Sequence, residues 1–189
     1  IARVHPVHLI FSIWALTQHY ADFDVQVRAV LGPEEPDAFP QAEFHAIDLS
    51  APMLRYAAQR AEQHGKAMQF RQMNAEALAF PHGDFDFVFC ILLLHELPTA
   101  AIRNVVRSAH RVLAPGGVFA NVELPSYASV DPLSAWLLDW DSDHNGEPFW
   151  RAYHELDLAG VYADAGFGQV GFAEQVGALS EHARVEEQQ

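Results

Sequence analysis

Apolar positions recur at mixed helical spacing through residues 3–31 (Leu9, Ile10, Ile13, Trp14, Leu16, Tyr20), which predicts one or two helices there. Gly32-Pro33-Glu34-Glu35-Pro36 reads as a loop, because two prolines three apart interrupt both a helix and a strand ladder. From residue 43 the pattern turns regular. Glu43 to Asp48 reads as a short strand, and Ser50 reads as the N-cap of a helix that tolerates Pro52 in its first turn. That helix carries Met53, Leu54, Ala57, Ala58 and Ala61 and stops at Gly65. Ala67 to Gln72 predicts a second strand. Phe85 to Leu92 is a continuous apolar run, as in a strand buried on both faces of a parallel sheet.

Downstream, Thr99 reads as the cap of a helix whose stripe is Ile102, Val105, Val106, Ala109 and Leu113. Pro115-Gly116-Gly117 ends it, and Val118 to Val122 predicts the next strand. Residues 125–150 read as irregular, aromatic and acidic. His154 to Ala165 predicts one helix, Gln169 to Val176 a last strand, and the charged tail from Ser180 a frayed end. Strand and helix in succession imply an α/β class: a Rossmann-like, doubly wound, mostly parallel sheet with helices on both faces and an N-terminal helical extension. The implied division is a helical segment and loop over 1–36 and an α/β domain over 37–180. Within that domain 125–153 serves as a lid or acceptor wall, and 181–189 is a frayed tail. In such sheets ligands sit at the carboxyl ends of the strands.

Composition narrows the partners. Half of the residues are hydrophobic and 19% are charged, a globular balance. Lys and Arg number 11 against 25 Asp and Glu, a formal charge of −14. A surface that acidic repels phosphate backbones and anionic lipid, which argues against nucleic acid and a membrane face and for a small-molecule partner. The single cysteine, Cys90, rules out an intramolecular disulfide and a multi-cysteine zinc site and fits a reducing cytoplasm. The apolar run Val7 to Leu16 is too short to span a bilayer and has no signal-peptide cleavage pattern. The first residue is Ile rather than Met, so the chain need not be a whole gene product. A homodimer is compatible with all of this.

Candidate chemistry gathers at the predicted strand ends. Asp48 closes a strand just before a capped helix, where a carboxylate can accept both hydroxyls of a ribose or simply favour the helix N-terminus. The order of short segments is more specific. Asp48-Leu49-Ser50 with Met53-Leu54, then Asn74-Ala75-Glu76-Ala77-Leu78 with Phe80-Pro81, resemble two cofactor loops of class I S-adenosylmethionine-dependent methyltransferases. Phe85-Asp86-Phe87-Val88 running into Leu93-Leu94-His95-Glu96-Leu97 resembles their fourth strand and its exit. Arg111-Val112-Leu113-Ala114-Pro115-Gly116-Gly117 resembles the turn before their fifth.

The resemblance implies S-adenosylmethionine as cofactor and methyl transfer as the reaction. It implies Asp48 on the ribose hydroxyls, Leu49 and Met53 against the adenine, Asn74, Ala75 and Glu76 along the adenine edge, and Ile91 near the amino-acid end. Met53 reads equally well as helix core. Sulfonium methyl transfer needs alignment and exclusion of water more than acid–base help. A base matters only if the acceptor must lose a proton, and His95 and Glu96 are best placed for that role; they read also as loop residues fixing the strand exit. Tyr127, Trp136, Trp140, Phe149, Trp150 and Tyr153, with Asp139, Asp141, Asp143 and His144, form an aromatic, acidic wall that could stack a ring or hold a cation. They could also pack a small subdomain.

Asp141-x-Asp143-x-Asn145-Gly146 starts like an EF-hand loop, but Ala152 stands where a bidentate Glu is needed. The 11 histidines are scattered, and His5 and His8 lack a third ligand, so no metal site is expected. The family's glycine-rich first turn should lie some twenty residues before Asp48, where Val30-Leu31-Gly32-Pro33-Glu34-Glu35-Pro36 stands instead. Residues omitted there, an internal deletion, and a degenerate member that no longer binds cofactor are the competing explanations, the first favoured because both flanks look family-like. Two rival functions stay open: a catalytically silent binding or oligomerisation module, and an NAD-linked oxidoreductase for which Asp48 would serve equally.

Overall fold

The computed structural model describes residues 43–123, 127, 130–175 and 178–185. The expected helices at 3–31 and the loop at 32–36 lie outside the described residues. The chain divides between Asn74 and Ala75 into two compact units, where one domain over 37–180 was expected. Among the described residues no helix is long and apolar enough to cross a membrane.

The first unit contains a strand–helix–strand repeat. β1 (His45–Asp48) and β2 (Gln69–Gln72) pair in parallel from His45 opposite Gln69 to Asp48 opposite Gln72. α1 (Ala51–Gln63) connects them and buries Leu54, Ala57 and Ala61, which share one face at spacings of three and four. Ser50 caps its N-terminus, accepting the Met53 N–H at 3.4 Å. At the other end Gly65, at φ +61°, donates to Glu62 O, and Lys66 donates to Ala61 O. This is the paired bonding of a glycine-terminated helix.

The second unit is a four-stranded sheet in the order β3-β4-β6-β5: β3 (Phe85–Ile91), β4 (Leu113–Glu123), β5 (Phe167–Gln175) and β6 (Ala178–Val185). β3 and β4 are parallel, whereas β6 runs antiparallel to both β4 and β5. The tail expected to fray from Ser180 is therefore a strand as far as Val185, because its backbone pairs on both sides and needs no apolar run of its own. α2 (Thr99–Val112) follows β3 and buries Ile102, Val105, Val106 and Ala109 of the predicted stripe together with Val112, whereas Leu113, predicted as the stripe's last member, is the buried first residue of β4. Thr99 is its first residue rather than its cap. Pro98 starts the helix, its carbonyl accepting the Ala101 and Ile102 N–H groups. β4 begins directly after α2, and the Pro115-Gly116-Gly117 stretch is a local irregularity within it, between the Leu113 and Val118 pairings.

Residues 132–145, expected to be irregular, form a helix. α3 (Pro132–Asn145) starts at Asp131, whose carboxylate accepts the Leu133 and Ser134 N–H groups, and ends at Gly146, at φ +76°. The helix predicted over 154–165 is shorter, α5 (Leu158–Ala165), and a separate short helix, α4 (Trp150–His154), precedes it. The break falls where Asp157 turns to cap α5 by accepting the Gly160 N–H at 3.0 Å. The core of this unit packs Leu94, Ile102, Val106, Phe119, Tyr153 and Tyr162 with their neighbours from α2, α4, α5 and the sheet.

Candidate functional site

In the first unit the predicted cofactor residues Asp48, Leu49 and Asn74 come to the carboxyl ends of two adjacent parallel strands. Asp48 ends β1, and its carbonyl accepts the Met73 N–H just beyond β2. Its side-chain Oδ1 accepts the Ser50 N–H at 2.6 Å, so the carboxylate shapes the entry into α1. Leu49 follows with its side chain 65% exposed, and its carbonyl accepts from Gln72 Nε2 at 2.7 Å. Met53 lies in the first turn of α1, half-buried rather than in the core, and Asn74 is exposed.

The second unit holds the remaining candidates in two places. Ala75 and Glu76 lie in a short helical turn, Ala75–Ala77, beside α2. There Glu76 accepts from Asn104 Nδ2 at 2.9 Å, and Ser108 Oγ accepts the Leu78 N–H at 2.9 Å. Arg111 donates to the carbonyls of Leu78 and Phe80, anchoring the same segment. The Glu76 carboxylate is thus already engaged by protein. Ile91 ends β3 opposite Val122, and four residues on His95 and Glu96 sit in the turn Leu94–Glu96.

That turn is built around a carboxylate the sequence reading did not single out. Glu123, at the end of β4, has no exposed surface. One of its oxygens accepts the Leu94 N–H at 2.7 Å, and the other meets His95 Nδ1 at 2.5 Å. The His95 Nε2 faces Glu96 at 3.6 Å. Burial opposes charge on the His95 ring, but hydrogen bonds to Glu123 and Glu96 outweigh it and push its pKa up to about 9. The same His95 hydrogen bond holds Glu96 below its usual value. At neutral pH His95 is therefore an imidazolium, a hydrogen-bond donor rather than a base. His95, Glu96 and Glu147 each offer one ligand-type atom within 4.8 Å of the others, but a protonated His95 ring has no lone pair left for a cation.

The predicted aromatic wall separates into two parts. Trp150 and Tyr153 are buried, and the His95 ring meets Trp150 edge-on at 4.8 Å. His154 stacks on Tyr127 at 4.4 Å and meets Trp150 edge-on at 4.9 Å. Burial first, and the His95 charge second, hold His154 down to about 4. Both of its ring nitrogens are buried without a hydrogen-bond partner. Tyr127 donates to Asp139, and burial with that carboxylate pushes its phenol up to about 12. Trp136 and Trp140 instead lie exposed on α3. The backbone from Asp141 to Asn145 is helical, not a calcium loop, and Asp143 pairs with Arg151 at 3.4 Å. A charged residue closing an apolar strand run, Glu123, was the one signal available for the missed clamp.

Residues 35–117 match the methyltransferase domain family. A Synechocystis protein named as an uncharacterized methyltransferase, sll0829, is 40% identical over 96 residues, which cover 49% of this chain and 43% of that protein. The Bartonella tribocorum ubiquinone/menaquinone biosynthesis C-methyltransferase UbiE is 28% identical over 159 residues, covering 74% of this chain and 60% of the enzyme. Among solved structures, an O-methyltransferase family protein from Burkholderia thailandensis aligns with a TM-score of 0.62 at 25% identity, covering 79% of this chain and 46% of that one. The chain carries a class I S-adenosylmethionine-dependent methyltransferase-like domain. Its fold is the expected Rossmann-like α/β class, and the family's cofactor is S-adenosylmethionine. The methyltransferase-like chain spans about half the length of the curated relatives it matches. A second family overlaps its start: residues 1–49 match the C-terminal region of YcdC-like proteins. The Escherichia coli HTH-type transcriptional regulator RutR is 66% identical over 32 residues, 17% of this chain and 15% of the regulator.

Proposed function

We propose that this domain transfers a methyl group from S-adenosylmethionine to a small-molecule acceptor. The observation that carries the reading is Asp48: a carboxylate at the carboxyl end of a parallel strand, fixed by the Ser50 N–H and opening onto a capped helix. A ribose diol needs such an acceptor, and the exposed Leu49 beside it offers an apolar surface for a flat base. Asp48, Leu49, Met53 and Asn74 are the cofactor contacts proposed within the first unit; Ala75, Glu76 and Ile91 are those proposed within the second. When bound, S-adenosylmethionine supplies the electrophilic methyl. The chain's own share is to orient the acceptor and keep water out. His95, charged and braced by Glu123, is suited to donate a hydrogen bond to an acceptor oxygen, and Glu96 to receive a proton. The UbiE relative supports an oxygenated ring as acceptor class.

Titration calorimetry with S-adenosylmethionine and its demethylated product tests the reading. Binding of both in the micromolar range is expected, and no heat with folded protein removes it.

One observation favours a second reading, a methyltransferase-like domain that is catalytically silent and acts as a binding or oligomerisation module. The matching regulator sequence over 1–49 stands where a first strand and glycine-rich turn would precede Asp48. This supports an internal replacement over simple omission of residues. The same calorimetry decides between the two, with sedimentation reporting self-association.

A further inference from the structure

We infer that Glu123 is a positioning residue that sets the conformation of the β3 exit, residues 91–96, for cofactor and acceptor; this rests on the methyltransferase reading above. Three residues of that segment are held by two consecutive residues of β4. Leu92 donates its N–H to Val122 O at 2.8 Å, while Glu123 takes the Leu94 N–H on one oxygen and His95 Nδ1 on the other. The segment needs holding. Leu92 is the one non-glycine residue with positive φ among the described residues, at +50°, a conformation that a branched side chain adopts only where its surroundings impose it.

A buried carboxylate with both oxygens occupied is a costly way to fix a turn by packing alone, since an apolar side chain would fill the space without desolvating a charge. The carboxylate has a use at one place: it takes His95 Nδ1 and so orients the ring, with its edge on Trp150 and its Nε2 toward Glu96. One side chain therefore fixes both the backbone at Leu94 and the polar group beside the aromatic wall.

The test uses the full chain with Glu123→Gln, His95→Leu and, as a control for plain loss of stability, Ile102→Val, whose apolar side chain is fully buried in α2 and makes none of the hydrogen bonds that hold the exit. Two measurements are made at a temperature where circular dichroism shows each variant folded. Amide hydrogen exchange at Leu92 and Leu94 needs no ligand. It should speed up at least tenfold in E123Q and stay near wild type in I102V. Calorimetric Kd for S-adenosylmethionine should rise tenfold or more in E123Q, several-fold in H95L and less than twofold in I102V. Wild-type exchange in E123Q, or equal Kd changes in E123Q and I102V, overturns the inference. Should E123Q not fold, H95L against I102V decides it by the same Kd comparison. If wild type fails to bind while exchange responds as expected, the methyltransferase reading fails and the clamp stands.

Discussion

Asp48 Oδ1 accepts the Ser50 N–H at 2.6 Å, so the proposed ribose acceptor also shapes the start of α1. The two roles separate by substitution. Asp48→Asn keeps an oxygen for the Ser50 N–H but loses the charge that strengthens bonds to a diol. Asp48→Ala loses both. S-adenosylmethionine binding should weaken by about 1–3 kcal/mol in either variant. Only D48A should also lower the melting temperature. Calorimetry and thermal melts on the same samples check this, and unchanged affinity in D48N removes Asp48 from the ribose.

Stability should peak near pH 6.5, because two histidines, His95 buried and His154 half-buried, are shifted in opposite directions. His95 is raised to about 9. Its stabilisation is complete below the unfolded value of about 6.5 and is lost as pH climbs through about 9. His154 is depressed to about 4. Its folded form resists the proton that the unfolded chain accepts, so stability falls as pH drops from about 6.5 toward 4. The His95 limb amounts to about 3 kcal/mol at most, and solvent screening of the half-buried His154 makes its limb smaller. Urea titrations between pH 4.5 and 9.5 should trace a dome, and a monotonic profile would contradict the paired assignment.

These residues also mark how much of the molecule could be read from its sequence. The α2 stripe, the β3 apolar run and the βαβ repeat around Asp48 were legible because each obeys its own periodicity. α3 was not, although Asp131-Pro132 and Asn145-Gly146 are start and stop signals: its Leu133, Trp136, Leu137 and Trp140 face is exposed, so no core stripe marks it. β6 was missed because its place comes from ladder bonds on both sides and not from composition. Asp48 and His95 could be picked out as strand-end polar residues. Glu123 carried the same positional signal at the end of β4, but its meaning depends on a partner 28 residues earlier in the chain.

Gly166 should tolerate no side chain. It terminates α5 at φ +104°, and an added Cβ would stand 2.9 Å from His110 Nε2. The His110 ring cannot swing aside cheaply, because it packs edge-on against Phe167 at 4.9 Å. Gly166→Ala therefore combines backbone strain with a steric clash and should cost about 2–3 kcal/mol. Gly65→Ala is the comparison: φ is also positive, at +61°, but nothing lies within 4 Å of the new Cβ. It should cost about 1 kcal/mol. Equal losses in the two variants, measured by urea unfolding, would show that the His110 contact contributes nothing.

Glu96 offers the finest control on the site, because it touches His95 from the open side while Glu123 holds it from within. Its side chain is 55% exposed, so Glu96→Gln should leave the fold intact. Removing its charge takes away the smaller of the two carboxylate contributions to the His95 proton, and the larger one stays. The His95 pKa, followed by NMR of its ring protons, should drop from about 9 yet remain above the ordinary 6.5. The alkaline limb of the stability dome should move down in pH by the same interval, while the acid limb, which belongs to His154, stays in place. A His95 pKa that returned fully to 6.5 would mean that Glu96, not Glu123, holds the proton, and would reverse the order of the two carboxylates.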